Sequence, residues 1–357
     1  MKKFKITKII LITLLSIIIT IGIAGAFFVH SYINKINLVK DNTSYEVTGN
    51  NLIDEADEMI IEGAADITNS PQIVIDEIEE RILGNTEEEK HKASSSDVYN
   101  ILLIGCDSRE AGGSGRSDAM ILVSINSNTK KIILTSFLRD IYLKIPNYKN
   151  NRLNAAYALG GANLLIDTIE ENFKINIDKY ISLDFYTFID VVDAINGVNL
   201  EVKEEYIPII NFYIKEINQH NKVNESDDLL TQPGNYVLNG KQTLGYVRNR
   251  YVGTDFERTA RQRLVLQTVF NKIKDLNYLQ ILNLADNILP QVTTNLSEKK
   301  IVSLIISFPT YKNYEIVQWS IPMENTFSFL TINRMSVIGM DFEKNVNELH
   351  EKVYDEP

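Results

Sequence analysis

The apolar positions of this chain fall into three textures. From Ile9 to Val29 there are 21 consecutive residues without a charge, rich in Ile and Leu; as a helix they rise about 31 Å, the thickness of a bilayer's hydrocarbon. Next come two short apolar-periodic stretches, Leu52 to Ile61 and Ile73 to Leu83, joined by polar and Ser-rich runs, which read as a partly helical stalk. From Val98 onward, short branched runs alternate with helical periodicity. Tyr99–Gly105 (YNILLIG), Ala119–Ile125 (AMILVSI) and Lys131–Phe137 (KIILTSF) have the continuous apolar character of buried strands, and Tyr180–Asp184 and Val198–Val202 also read as strands. Asn154–Phe173 and Arg261–Leu284 carry helical periodicity, and Gly160-Gly161 inside the first suggests close backbone packing. Thr254 followed three residues later by Glu257 is a capping-box signature that starts a helix at Thr254. Strands interleaved with helices predict an α/β fold, a mixed central sheet flanked by helices, preceded by a single N-terminal transmembrane helix and a polar stalk.

Charge orients this plan. Lys2, Lys3, Lys5 and Lys8 precede the apolar run, so residues 1–8 are expected in the cytoplasm, 9–29 in the membrane, and the stalk (30–97) and the domain (98–357) outside. The rival reading is a cleaved signal peptide, for which Ala24-Gly25-Ala26 offers a small-residue cleavage site; the length of the apolar run favours an uncleaved anchor. The formal charge is -11, yet Asp41 to Asp97 holds sixteen acidic and three basic residues, so the acidity belongs to the stalk and the domain is close to neutral. Cys106 is the single cysteine, which excludes an internal disulfide and reads as a small buried residue near a strand end. His30, His91, His220 and His350 show no ligand spacing.

Candidate chemistry gathers at predicted strand ends. After the first strand, CDSREAGGSGRSDAM delivers Asp107, Arg109, a Gly-Gly-Ser-Gly bridge, Arg116 and Asp118. Two carboxylates flanking one glycine-rich turn can share a hard cation such as Mg²⁺, although loop caps or solvated charges would leave the same pattern. The third strand ends in Arg139 and Asp140, and Arg152 and Asn154 precede the next helix. On the Thr254 helix, Arg258 and Gln262 fall on the inward stripe of Val265, Val269 and Ile273, with Arg261 beside it; Arg248 and Arg250 stand just before. Nine of the 11 arginines lie between Arg109 and Arg263, against 25 lysines in the whole chain. Arginine is the bidentate partner of phosphate oxygens, so the concentration points to a polyphosphate pocket. A nucleic-acid surface is not expected from a neutral domain behind an acidic stalk.

The series GCDSR, GRSDAMILVSIN, SFLRDIYLKIP, RLNAAYALGG, YISLDFYTF, INGVNLEV, LNGKQTLGYVRNR and DFERTARQR, over about Asp97 to Ile273, resembles in order the motifs of the LytR-CpsA-Psr family of Gram-positive envelope enzymes. SVIGMDFEKNVNELH extends a weaker similarity toward the C-terminus. The resemblance implies a single-pass type II membrane protein whose outer domain transfers a glycopolymer (teichoic acid, capsule or other secondary wall polysaccharide) from a polyprenyl-diphosphate carrier to peptidoglycan. By the resemblance, Asp107 and Asp118 are the acids associated with Mg²⁺, with Mn²⁺ as the alternative ion. Arg116, Arg139, Arg248, Arg250 and Arg261 match the arginines that hold the diphosphate; apart from the resemblance, a carboxylate such as Asp107, or Asp255 near the arginines, can accept the acceptor's proton. Arg109, Asp140, Arg152, Asn154, Arg258 and Gln262 complete the candidate substrate site. The family's prenyl tunnel maps onto Ile181, Leu183, Phe185, Phe188, Val192, Val265 and Val269. Glu257 stands where the family commonly has Gly, an added acid beside the arginines. A pyrophosphatase or phosphodiesterase acting on the same carrier, and a lipid-binding regulator without turnover, are the alternatives.

Overall fold

The computed structural model describes residues 37–38, 68–87, 92–107 and 116–355. The expected membrane span, 9–29, the cytoplasmic tail, most of the stalk and Arg109 lie outside these residues. Among the described residues, no helix is long and apolar enough to cross a membrane.

The domain is a mixed sheet with a helical layer on each face. Helix α1 (Gln72–Glu87) precedes strands β1 (Val98–Cys106), β2 (Ser117–Asn126) and β3 (Lys131–Phe137). Then follow α2 (Leu153–Phe173), β4 (Lys179–Leu183), α3 (Phe185–Ala194), β5 (Val198–Val202), α4 (Ile207–His220), β6 (Gly234–Leu238), α5 (Gly240–Arg248) and α6 (Asp255–Lys274). The last elements are α7 (Tyr278–Ile288), β7 (Thr293–Thr294), α8 (Glu298–Tyr311), β8 (Glu315–Ile321), β9 (Phe327–Ile332), β10 (Met335–Met340) and α9 (Phe342–Tyr354). The large sheet runs in the order Asn37–Leu38, β7, β4, β1, β2, β3, β8. β1, β2 and β3 are antiparallel neighbours, whereas β4 runs parallel to β1 and β8 parallel to β3.

The central strands are apolar on both faces because both faces are covered. On one side Leu102, Ile104 and Leu122 join the core built by α1, α2, α9 and the β9–β10 hairpin. On the other side α3, α4, α5 and α6 enclose a second core with the β5–β6 hairpin. β5 therefore pairs with β6 outside the large sheet.

Two sequence expectations are corrected and a third is sharpened. The stalk does not extend to residue 97 as a solvated spacer: Ile75, Ile78 and Ile82, spaced to share one helix face, are 7%, 3% and 1% exposed in the first core, so α1 is part of the domain. The close packing expected at Gly160-Gly161 is present, since a Cβ on Gly160 would fall 2.6 Å from Leu164 Cβ, and the pair also kinks α2: both residues leave helical geometry, and Gly161 sits at φ 64. The helix expected through Leu284 stops at Lys274, because Asn277 begins α7 with its own capping box, its side chain accepting from Gln280 N–H at 3.0 Å. Cys106 is buried at the end of β1, as its position suggested.

Candidate active site

The site is assembled from the ends of β1, β2 and β3 and the first turns of α6. β1 and β2 pair through Gly105 and Ala119, then slip at a bulge that sets Cys106 opposite Ser117. The Asp107 N–H closes the pair by donating to the Arg116 carbonyl at 3.0 Å. Asp118, one residue inside β2, thereby lies at the strand's end beside Arg139 and Asp140, which follow β3. The backbone there is pinned: Asn154 N–H donates to the Arg139 carbonyl at 3.1 Å and Ile338 N–H to the Asp140 carbonyl at 2.8 Å.

Four guanidinium groups and three carboxylates interlock on this frame. Arg139 reaches Asp118 Oδ1 and Asp140 Oδ2, each at 3.3 Å, and Asp255 Oδ1 at 3.9 Å. Arg152 pairs with Asp140 at 3.6 Å, Arg258 with Asp255 at 2.9 Å, and Arg250 with the same Asp118 Oδ1 that Arg139 uses. Burial works to lower the Arg139 pKa, but Asp140, Asp118 and Asp255 outweigh it and the pKa is raised. Burial also raises the Asp255 pKa, against the pull of Arg258 and Arg139, and lowers that of Arg258 despite Asp255. The balance leaves positive charge in excess. Buried Nε–H groups of Arg152 and Arg258 make no hydrogen bond among the described residues. Donors in surplus, fixed in place and partly desolvated, form an anion site.

Directly beneath lies an apolar cavity of about 180 Å³. Leu103, Ile121, Leu183, Phe188, Val191, Val265 and Val269 are among its walls; Asp118, Arg248, Arg250, Arg258 and Gln262 also face it. The capping box that starts α6 explains the juxtaposition: Thr254 Oγ accepts from Glu257 N–H at 3.3 Å and Glu257 Oε2 from Thr254 N–H at 2.6 Å. This fixes the register that aims Arg258 and Gln262 in the same direction as Val265 and Val269. Arg248, at the last turn of α5, is held flat between Phe185 and Tyr213, 4.1 and 4.3 Å from the ring centres, with Glu216 at 3.8 Å.

The sequence-derived residues divide accordingly. Asp118, Arg139, Asp140, Arg152, Arg250 and Arg258 form one network, and Leu183, Phe185, Phe188, Val265 and Val269 line one cavity with Arg248 and Gln262. Arg261, expected on the ligand, is buried behind the site: its NH2 donates to the carbonyls of Asn249 at 2.6 Å and Val252 at 3.4 Å, holding the turn that carries Arg250. Asn154 is likewise buried under Arg139, in a supporting position. Ile181 packs against Leu296 and Ile301, two residues back along β4 from Leu183, and Val192 is sealed in the second core while Val191 takes the wall position. Glu257 caps α6 and is exposed; the Thr254 backbone N–H holds its carboxyl below the usual range, so it does not enter the anion site. Asp107 is exposed at the β1 end and Arg116 is half-buried beside it. Tyr213 and Glu216 were missed, since α4 shows only an amphipathic stripe in sequence. Among the described residues, no three His, Cys, Asp or Glu side chains cluster as metal ligands.

The LytR_cpsA_psr family model matches residues 70–351. The chain belongs to the LytR-CpsA-Psr family. It is 32% identical over 227 residues to the polyisoprenyl-teichoic acid–peptidoglycan teichoic acid transferase TagT of Bacillus subtilis, covering 62% of this chain and 67% of the relative. It is 30% identical over 253 residues to the regulatory protein MsrR of Staphylococcus aureus, covering 70% and 72%. The structure of the LytR-CPS2A-psr family protein YwtF (TagT) with bound octaprenyl pyrophosphate lipid superposes with a TM-score of 0.54 at 27% identity, over 75% of this chain and 95% of that one. The family match begins at the foot of α1, in agreement with the packing of that helix.

Proposed function

We propose that this LytR-CpsA-Psr protein is a phosphotransferase, anchored in the membrane through residues 9–29, that moves a glycopolymer from a polyprenyl-diphosphate carrier to a peptidoglycan hydroxyl outside the cell. One observation carries the reading: an apolar cavity opens directly under a net-positive arginine cluster. That pairing fits a single molecule with an apolar chain and a diphosphate at its end. The relative TagT is named for such a transfer, and a solved relative holds octaprenyl pyrophosphate.

In the proposed reaction the acceptor oxygen attacks the sugar-proximal phosphorus. A new P–O bond forms, the bond from that phosphorus to the bridging oxygen breaks, and its electron pair leaves with polyprenyl phosphate. Arg139, Arg248, Arg250 and Arg258 spread the charge that accumulates on the phosphoryl oxygens. Asp107, exposed at the end of β1, receives the hydroxyl proton. Asp107 and Asp118 stand on adjacent strand ends and offer carboxylate oxygens, and both ion pairs of Asp118 fall on Oδ1. This donor set suits a cation that keeps most of its shell as water and phosphate oxygen, which is the behaviour of Mg²⁺; bound there, it would neutralise diphosphate charge. The polymer belongs to the class of teichoic acids, capsules and secondary wall polysaccharides.

Titration of the detergent-solubilised full chain with a polyprenyl diphosphate tests the site. Arg258→Met and Arg139→Met are expected to weaken binding at least tenfold each, and unchanged binding in both variants sinks the assignment.

A further inference from the structure

A second cavity, of about 420 Å³, shares Phe185, Leu244 and Arg248 with the apolar one. Its character is different. Asp107, Tyr186, Glu216, Gln219 and His220 supply its polar lining. Tyr186 and His220 pack against each other with ring centres 5.6 Å apart and planes tilted by 36°, an aromatic pair at the end of α4. Glu216 and Gln219 present an acceptor and an amide from the same helix end; Gln219 is braced by its 2.9 Å hydrogen bond to Glu225.

We infer that this cavity is the acceptor subsite and holds a neutral, hydroxyl-rich sugar of the peptidoglycan strand; the inference rests on the transfer reading above. Charge decides against an anionic occupant. Two carboxylates, Asp107 and Glu216, line the cavity against one guanidinium, Arg248, which the phosphates on the other side also call on. Carboxylates accept hydrogen bonds and do not donate them when ionised, so they select hydroxyl donors, while an aromatic pair offers a face for a pyranose ring. Size agrees, because small-molecule sites occupy roughly 300–1,000 Å³. Position supplies the chemistry: Arg248 is common to both cavities, so a sugar hydroxyl that reaches it lies against the phosphates held on the other side, with Asp107 on the acceptor's side of the seam.

The donor also carries a sugar, and the test separates the two sources. Binding of a soluble peptidoglycan tetrasaccharide, and separately of a polyprenyl-diphosphate disaccharide, is measured on the full chain by ligand-observed NMR titration. The variants are Tyr186→Ala, Tyr186→Phe and Gln219→Ala; Gln219 is on the surface, so its removal leaves the fold standing. Tyr186→Ala and Gln219→Ala are expected to weaken the tetrasaccharide at least tenfold and fivefold without altering donor affinity, and Tyr186→Phe to restore most of the loss. Weakened donor binding with unchanged tetrasaccharide binding overturns the inference, as does a wild-type chain that does not bind the tetrasaccharide. If the wild type binds it in the mapped cavity but transfers nothing to it, the subsite stands and the transferase reading falls.

Discussion

Arg258 is the most deeply buried member of the arginine cluster, 2% exposed, and its nearest acid is Asp255 at 2.9 Å. Replacing Asp255 by Asn keeps the shape and removes the charge. Arg258 is then left with the Asp118 carbonyl at 3.5 Å and more distant acids, in surroundings that already lower its pKa. Breaking one side of a buried pair costs about 3–5 kcal/mol, because the other charge remains desolvated. At about 2–4 °C per kcal/mol for a domain of this size, the melting temperature should fall by roughly 6–20 °C. The reverse change, Arg258→Met, should cost less, because Asp255 can take up a proton and become neutral. That relief has a sign in pH. The Asp255 pKa is already raised by burial, and without Arg258 it rises further. Between the ordinary aspartate value and the raised folded value the folded protein binds more protons than the unfolded chain, so stability falls as pH rises through that window and the Arg258→Met deficit closes below it. The double variant should then be more stable than the sum of the singles implies, with a coupling above about 1 kcal/mol. Urea unfolding of the four proteins at several pH values measures all of this. Strict additivity, or an Asp255→Asn cost below about 1 kcal/mol, refutes the reasoning.

Arg261→Lys cannot reproduce the two hydrogen bonds that hold the Asn249–Val252 turn, and should cost about 1.5–3 kcal/mol; hydrogen exchange should rise across residues 249–253 and diphosphate affinity should fall through displacement of Arg250. Arg263 is the opposite case: burial alone pushes its pKa down to about 10, and its Nε and NH1 find no partner among the described residues. A guanidinium stays charged at neutral pH, so Arg263→Met should be neutral or stabilise by up to about 3 kcal/mol in the same urea assay. Val269→Trp fills the apolar cavity and should abolish polyprenyl-diphosphate binding while leaving inorganic pyrophosphate affinity within twofold, which calorimetry can compare.

How far the sequence reaches depends on the kind of interaction. β1, β2 and β3 were legible because a strand covered on both faces is apolar throughout, and the start of α6 because a capping box is local. The end of the Arg261 helix was not legible from periodicity, since α7 continues the apolar rhythm and only Asn277 marks the break. The arginine cluster was readable as a concentration of one residue type, and Arg258 and Gln262 as positions on the inward stripe. Which arginine faces the cavity was not readable. Arg261 is one residue from Gln262, about 100° around the helix, and that rotation turns it from the cavity to the carbonyls behind. Tyr213 and Glu216 escaped notice because their role depends on α4 crossing Arg248, a contact between residues more than thirty positions apart. Ile75, Ile78 and Ile82 were read as part of a stalk because their acidic neighbours dominate the composition of that stretch, although three isoleucines on one helix face already asked for a partner surface.

The most direct measurement of the central claim is transfer by the full chain in detergent, using a polyprenyl-diphosphate carrying a labelled sugar, peptidoglycan oligomers and Mg²⁺, with Arg258→Met and Arg139→Met alongside. The account predicts labelled sugar on the oligomer through a phosphodiester, release of polyprenyl phosphate in equal amount, and at least a hundredfold loss of rate in each variant. Label released only to water, or transfer that persists in both arginine variants, contradicts it.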